Sequence, residues 1–221
     1  LCSNVLDLGG EKSLLVHAKY LDKEKFEVFV CGRLRGGVRV PEFKKHNIPV
    51  FVNPSSIDEL LRELKIDIYH VWRSGHYDIG SLPKEKPRSL KIVETNFFRD
   101  FDYAQGHMID CHVFPSDHCK DRYYADYGFT TRKLYGTLYH PIDFEEFPLR
   151  PRKFLGVFGR VSRPDDQKWH KFCINIIPKV YQKVRGSQCH IMGISEQKKT
   201  LLDSLRLTDQ VRLYDTSPNV S

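Results

Sequence analysis

Short β-rich runs alternate with helical stretches along the chain, and this alternation restricts the fold more than any other feature. A strand, a helix and a further strand in succession are typical of a parallel sheet, because the helix returns the chain to the starting edge. The predicted strands are 26–31, 48–52, 66–71, 90–95, 111–114, 154–158, 188–192 and 211–214. The sequence therefore predicts an α/β protein built on parallel sheets.

The predicted helices lie between these strands, where apolar residues recur at helical spacing. They cover 11–21, 57–64, 117–127, 168–184 and 196–205. Three of them begin directly after a serine, namely Ser56, Ser116 and Ser195. A serine side chain at that position accepts a hydrogen bond from a free N–H group of the first turn. We therefore expect three N-capped helices.

A proline-rich segment at 140–153 interrupts the alternation. Three prolines fall within it, no periodicity survives, and a new strand follows at once. Such a segment is typical of a linker, here between a domain at 1–139 and a second α/β series at 154–221. The second series has three strands and two helices, which leave an uncovered sheet edge, so the second domain is expected to be incomplete.

Composition and charge exclude several classes of protein. The 221 residues are 40% apolar, which argues against disorder, and no stretch of about 18 apolar residues or signal-peptide pattern is present. The chain is therefore expected to be soluble and cytoplasmic. Its net charge of +7 favours phosphate-bearing ligands, anionic membrane surfaces or nucleic acid without choosing among them. Six cysteines without a CxxC motif predict reduced thiols rather than a disulfide scaffold or zinc ribbon.

Two junctions between a strand and a helix are candidate ligand sites, because ligands of open α/β sheets bind at the carboxyl ends of strands. At the first junction, Gly9 and Gly10 stand just before a predicted helix. Glycines let a ligand approach the backbone, and the start of a helix offers free N–H groups and partial positive charge to an anion. A tight turn without a ligand is the alternative.

The second junction follows the predicted strand 154–158 and is rich in basic residues. It carries Arg160, Arg163 and Lys168. A guanidinium grips phosphate oxygens through its planar fork and a lysine supplies a compact charge, so the pattern favours a diphosphate site. A solvated basic loop is the alternative. The motifs GxxxxGK[ST] and GxGxxG are absent after the strands, which argues against nucleotide hydrolysis and NAD chemistry.

Five segments in chain order carry the pattern of one known family. They are 9–28, which opens with Gly9-Gly10, then 64–71, 110–116, 139–147, and 157–162 together with Lys168. These segments resemble the retaining glycosyltransferases of the GT-B fold known as family 4. The resemblance extends over most of the chain. It implies two Rossmann-like domains, with 1–139 on the acceptor side, 140–153 as the linker and 154–221 as the first part of the donor-nucleotide domain.

The resemblance further implies transfer of a sugar from a nucleotide diphosphate sugar, bound in the cleft between the domains, to a saccharide, lipid-linked or protein acceptor. Arg160 and Lys168 would hold the donor diphosphate, and Gly9 and Gly10 would approach it from the other side. Fixed cations stabilise a departing nucleoside diphosphate without a metal, so no cofactor is expected. The family's carboxyl-terminal E-x7-E motif is absent, and this chain alone is expected to be a poor binder and catalyst.

Candidate sugar or acceptor contacts come from the first domain. Where many relatives have a histidine, this sequence has Asn96, whose amide can bind a hydroxyl or a phosphate but cannot act as a general base. His70 and Arg73 come at a predicted strand end, where an acceptor-side role and a purely structural role are both open. Ser116 closes the segment 110–116 of the resemblance. The catalytic residue itself is not identified by the sequence.

Two groups of residues contain potential metal ligands. The segment 100–102 (DFD) is a DxD motif of the sort that binds a divalent metal in the unrelated GT-A glycosyltransferases, but a solvated turn is favoured. The other group is Cys111, His112, His118 and Cys119. Alternation along a strand sends Cys111 and His112 to opposite faces, which favours a core thiol and a surface histidine over a zinc site. No metal is therefore predicted.

Two other classes of function remain as alternatives. The first is a non-catalytic module of the same fold that binds a nucleotide or a sugar. The second is a basic nucleic-acid-binding protein, which is disfavoured because aromatic and basic residues do not interleave on one element. The net charge leaves peripheral association with an anionic membrane surface open.

Overall fold

The computed structural model describes residues 1–7, 9–149, 151, 156–170 and 172–215. The chain divides into two compact units, Leu1–Pro148 and Leu149–Ser221. This division falls inside the segment 140–153. The assignment of the two units to acceptor and donor sides remains a prediction.

The first unit is a seven-stranded parallel sheet with helices in the connections. Its strands are β1 (Cys2–Ser3), β2 (Val30–Gly32), β3 (Val50–Val52), β4 (Ile68–Arg73), β5 (Lys91–Asn96), β6 (Cys111–Phe114) and β7 (Leu134–Thr137). Its helices are α1 (Gly9–Tyr20), α2 (Val40–Lys45), α3 (Ile57–Glu63) and α4 (Asp117–Tyr127). The strand order is β3-β2-β1-β4-β5-β6-β7. The order reverses between β1 and β4, which is where open sheets of this kind bind ligands.

The second unit is a smaller parallel sheet of the same type. Its elements are β8 (Val157–Val161), α5 (Phe172–Lys183), β9 (Gln188–Met192), α6 (Glu196–Ser204) and β10 (Val211–Tyr214). The strands lie in the order β10-β9-β8. Ile174, Ile177, Ile191 and Leu202 are buried together between the helices and the sheet. Both sheets confirm the predicted α/β fold class.

Two apolar clusters cover opposite faces of the first sheet. Val71 and Trp72 are neighbours on β4, so their side chains point to opposite faces. Val71 packs with Ile57 of α3, whereas Trp72 packs with Leu14 of α1. A core of this kind, with helices on both faces, is what a parallel sheet requires. Within the described part of the chain, no helix combines the length and the apolar character needed to cross a membrane.

The three predicted N-caps are confirmed. The hydroxyls of Ser56, Ser116 and Ser195 accept hydrogen bonds from the backbone N–H three residues later, at 3.4, 3.2 and 3.4 Å. The predicted bounds of β6, β9, β10 and α4 are also those of the structure. The expected start of α5 at residue 168 is wrong, because 166–168 form a short 3-10 turn and the helix begins at Phe172.

Candidate functional site

The Gly9-Gly10 pair lies in the first turn of α1, the helix that follows β1, and β1 lies beside the switch point of the sheet. A side chain on Gly9 would meet open space, whereas a Cβ on Gly10 would lie 3.3 Å from the ring of Phe97, which follows β5. Ser3 at the end of β1 donates a 2.7 Å hydrogen bond to Glu11. The turn is therefore held by the hydrogen bond between Ser3 and Glu11. The ring of Phe97 lies against Gly10, whereas the space next to Gly9 is empty. Leu8 lies outside the described residues.

Arg73 and Asn96 occupy paired positions at the carboxyl ends of β4 and β5. The Arg73 side chain is only 2% exposed and forms ion pairs with Glu94 at 2.5 Å and with Asp102 at 2.9 Å. Asn96 is fully buried and donates to the carbonyl of Asp100 at 2.8 Å. Both candidate contacts thus belong to a buried polar network beneath the carboxyl edge of the sheet.

Glu94 is the centre of this network. Its second carboxylate oxygen lies 2.7 Å from Nδ1 of His112, which is directly opposite on β6. Lys133 lies 3.3 Å from the other ring nitrogen of His112 and donates to the carbonyl of Gly106. Burial lowers the pKa of Lys133. Buried charges are retained only when they are paired, and here each cation faces a carboxylate or a carbonyl oxygen.

The expectation of a surface histidine at residue 112 is wrong. Alternation does separate Cys111 from His112, but it is His112 that points to the buried side, because its partner Glu94 also points there. Cys111 is only half-buried. The prediction assumed that the apolar residue of the pair faces the interior. It fails here because the buried side of β6 contains the carboxylate of Glu94, which contacts His112.

His70 lies within β4 rather than after it, because the strand extends to Arg73. Its Nε2 shares a 2.8 Å hydrogen bond with Thr95, and its ring stacks on Trp72 at 3.9 Å. Burial lowers its pKa well below the ordinary histidine value, with smaller contributions from the amino terminus and His17. Ser116 caps α4 through its hydroxyl. The structure therefore gives both residues structural contacts and leaves an acceptor role as a prediction.

In the second unit, the structure brings Arg160 and Lys168 together at the carboxyl end of β8. Nη2 of Arg160 donates to the backbone carbonyl of Lys168, and the guanidinium lies 5.0 Å from the ring of Trp169. The Lys168 side chain is exposed, and none of the described carboxylates lies within ion-pair distance of it. Arg160 thus holds the backbone of the loop at Lys168 through one N–H group and has further N–H groups in its guanidinium. Among the described residues, no carboxylate neutralises the charge of Lys168.

The segment 160–168, called the basic loop from here on, is held by hydrogen bonds to the residues around the start of α6. Nε1 of Trp169 donates to the Gly193 carbonyl at 3.1 Å, and the hydroxyl of Ser195 donates to Asp166 at 2.5 Å. The residue before Arg160 has to be a glycine. A Cβ on Gly159 would lie 2.0 Å from the carbonyl oxygen of His190 on β9. These contacts hold the loop in a defined conformation, as an anion site requires.

The DxD segment does not present two converging carboxylates. Asp102 is buried, pairs with Arg73 and accepts hydrogen bonds from the N–H groups of Ala104 and Gln105 at 2.9 and 2.7 Å. Asp100 is half-buried and lies 3.4 Å from His76. Among the residues that the structure describes, no group of three or more His, Cys, Asp or Glu side chains is arranged to hold a metal ion.

Sequence reasoning missed two histidines, one of which contacts the Phe97 ring beside the glycine turn and one of which lies in the last turn of α1. His140 stacks on Phe97 at 5.7 Å, and His17 lies 5.7 Å from Trp72. Burial lowers the pKa of both histidines, and His140 adds to the effect on His17. The two residues are far apart in the chain, so no local pattern could have paired them. For Glu94 a signal was present, since this carboxylate directly follows Ile92 and Val93 inside a predicted strand.

Comparison with known proteins bears on the fold. The crystal structure of a glycosyltransferase from Rickettsia africae ESF-5 matches with a TM-score of 0.65 and 15% sequence identity. The match covers 98% of this chain and 68% of that chain. Family models and curated protein sequences gave no match. The structural match shows that the chain has the α/β fold found in that glycosyltransferase.

Proposed function

We propose that the protein is a glycosyltransferase of the GT-B, family 4 type. It would take a sugar from a nucleotide diphosphate sugar and pass it, with retention of configuration, to a saccharide, lipid-linked or protein acceptor. The observation that carries the proposal is the loop 160–168, in which Arg160 is braced and Lys168 has an unneutralised charge at the carboxyl end of a parallel strand. The fold shared with a glycosyltransferase supports it.

The chemistry explains why such a loop suits the reaction. When the bond between sugar and diphosphate breaks, negative charge grows on the departing nucleoside diphosphate. A preorganised cation at that position stabilises the transition state more than the ground state. Lys168 would supply this charge, and Arg160 would contribute the N–H groups that its brace leaves unused. The chemistry needs no metal, and we propose that none is required.

The first unit would contribute a second contact surface at its own carboxyl edge. Gly9 leaves the start of α1 open, and backbone N–H groups at the start of a helix can donate hydrogen bonds to an anionic group of the donor. The buried network of Arg73, Glu94 and Asn96 would hold the β4 and β5 ends rigid beneath the acceptor. We therefore assign Arg73 and Asn96 to positioning rather than to direct contact.

The decisive experiment is calorimetric titration of the purified chain with UDP, GDP and ADP, followed by a transfer assay with the corresponding sugar nucleotides. Because the E-x7-E motif is absent from this sequence, we expect weak but selective binding of one nucleoside diphosphate and its slow release from the sugar conjugate. Binding without release would favour the non-catalytic module, and no binding of any of the three would refute both. Salt-sensitive binding of an oligonucleotide alone would favour the nucleic-acid alternative.

We also propose a cytoplasmic location, where nucleotide sugars and reduced thiols occur together. All six cysteines are free in the structure. Disulfides persist mainly in oxidising compartments, so unpaired cysteines agree with this location. Fractionation of cells that express the tagged chain, with and without high salt, tests it and also detects peripheral membrane association.

A further inference from the structure

Cys2 and Cys31 face each other across the first sheet. They are directly opposite residues of the parallel strands β1 and β2, so their side chains point to the same face. Neighbouring strands are about 4.8 Å apart, which falls within the Cα separation of about 4.4–6.8 Å found in disulfides. Both thiols are free, and the Cys2 thiol lies 3.9 Å from the carbonyl oxygen of Ser3. Among the described cysteines, this is the one pair placed opposite each other in a sheet.

A cavity gives small molecules a route to these buried thiols. It has a volume of about 450 Å³ and lies at the amino edge of the first sheet, away from the glycine turn. Cys2, Cys31 and Tyr69 form part of its lining, together with apolar residues of α3. Cys2 and Cys31 are only 2% and 6% exposed, so the cavity admits a reagent of a few atoms and excludes a protein thiol.

We propose that Cys2 and Cys31 form a peroxide-reactive dithiol that closes to an interstrand disulfide. The inference is independent of the proposed function. It assigns a modification site to the edge of the first sheet opposite the glycine turn, and its substrate class is a small hydroperoxide.

The two thiols have unequal roles. The neighbouring Cys31 lowers the pKa of Cys2, whereas the neighbouring Cys2 and burial raise the pKa of Cys31. Cys2 is therefore the thiol of the pair that ionises more readily and attacks first, since thiolates and not thiols are nucleophilic. Its sulfur takes the terminal oxygen of the peroxide, the O–O bond breaks, and a sulfenic acid and hydroxide are formed.

The second step consumes the Cys31 thiol. Its proton passes to the hydroxide and gives water, and its sulfur attacks the sulfur of Cys2. The S–S bond forms as the S–O bond breaks, and the departing hydroxyl leaves as hydroxide that is protonated by solvent. In sum, two thiols are oxidised by two electrons, and hydrogen peroxide is reduced to two molecules of water. A dithiol reductant reverses the reaction.

The remaining cysteines lack these features. Burial raises the pKa of Cys189 to about 11, and burial with the neighbouring Asp110 raises that of Cys111. Cys119 and Cys173 lie on helices α4 and α5, and neither faces a second cysteine in a sheet. If exposure alone controlled oxidation, these half-buried cysteines would react before Cys2 and Cys31. The order of oxidation therefore distinguishes control by exposure from the proposed reactivity of the Cys2–Cys31 pair.

The test is a time course of the whole purified chain in dilute hydrogen peroxide. Free thiols are alkylated after denaturation, and the digested peptides are mapped by mass spectrometry. We expect a linked Cys2–Cys31 peptide, lighter by two hydrogens and restored by a dithiol reductant, to form roughly tenfold faster than oxidation at any other cysteine. The proposal is overturned if Cys2 and Cys31 are still alkylated once other cysteines have oxidised.

Variants distinguish the attacking thiol from the resolving one. In Cys31→Ser, a sulfenic acid should persist on Cys2 and be trapped by a cyclic 1,3-dione, whereas Cys2→Ser should give neither adduct nor disulfide. Cys119→Ser is the matched control and should leave the rate of linkage unchanged. If a core variant fails to fold, the wild-type map still decides, because the linked peptide is either present or absent.

Discussion

Arg73 donates a 2.5 Å hydrogen bond through Nε to Glu94 at a level of the first sheet where both side chains are almost completely buried. The pair is held by the register, since β4 and β5 run parallel and place the two residues near their carboxyl ends. Asp102 gives Arg73 a second carboxylate, and His112 contacts the other oxygen of Glu94. The network therefore joins β4, β5, β6 and the loop after β5.

Removing one member of this pair should destabilise the first unit strongly. We expect Glu94→Gln to lower the free energy of unfolding by about 3 kcal/mol, because it leaves a buried guanidinium with a single carboxylate. The exposed pair of Arg99 and Asp126 supplies the control, and Asp126→Asn should cost less than about 1 kcal/mol.

Urea unfolding followed by the fluorescence of Trp72, in a Trp169→Phe background, reports the first unit alone. Equal losses in Glu94→Gln and Asp126→Asn would show that the buried network contributes no more than a surface pair.

The fold was predictable where local patterns are strong. The capped helices and β6, β9 and β10 follow from serine caps and alternating apolar residues. The sequence missed β1, β7 and α2, because two to six residues are too few to show a period. The short β1 still belongs to the sheet, since it is paired on both sides. Tertiary pairing, rather than propensity, forms these elements.

The candidate site was predictable only in part. Arg160 and Lys168 were found because both basic residues lie within one loop after one strand, and the structure brings them together. Arg73 and Asn96 were identified as surface contacts, but strand register places them in a buried network with Glu94. Such networks join residues from separate strands, so no spacing in the sequence reveals them.

The basic loop gives a prediction for catalysis. If Lys168 and Arg160 stabilise the departing diphosphate, Lys168→Ala or Arg160→Ala should lower the rate of sugar transfer by about two to three orders of magnitude at saturating donor. Lys183→Ala is the control, because this exposed lysine ends α5, far along the helix from the loop. Steady-state kinetics on the three variants provide the measurement. Wild-type rates in Lys168→Ala and Arg160→Ala would remove the loop from the mechanism.

Ser116 allows a structural role to be separated from a functional one. Ser116→Ala removes the cap of α4 and should cost about 1 kcal/mol of stability, as should Ser56→Ala at the start of α3. Ser116→Asn keeps a capping oxygen and should be close to wild type in stability. If capping is its whole role, the KM for the acceptor should be unchanged in both Ser116 variants. A raised KM in the stable Ser116→Asn variant would instead show that the hydroxyl contacts the acceptor.

Metal dependence follows from the arrangement of the DxD segment. Asp102 is already paired with Arg73, and Asp100 alone of the two carboxylates is partly accessible to solvent. We therefore expect sugar transfer to persist in EDTA and Asp100→Ala to change the rate less than about tenfold, since stabilisation comes from protein cations. Loss of activity in EDTA that manganese restores would contradict this and would make the segment a metal site.

Three histidines of the first unit predict a loss of stability at mildly acidic pH. Burial lowers the pKa of His70, His17 and His140 in the folded state, whereas an unfolded histidine titrates near about 6.5. Below that pH the unfolded chain binds protons that the folded chain does not, so the stabilisation is complete above pH about 6.5 and declines as the pH falls. Urea midpoints of the first unit at pH 7.5 and 5.5 measure the decline. His70→Gln should reduce it by up to about 1.4 kcal/mol per pH unit, whereas His118→Gln, at an exposed position on α4, should retain the wild-type decline. The same decline in wild type and His70→Gln would show that His70 is not part of the pH response.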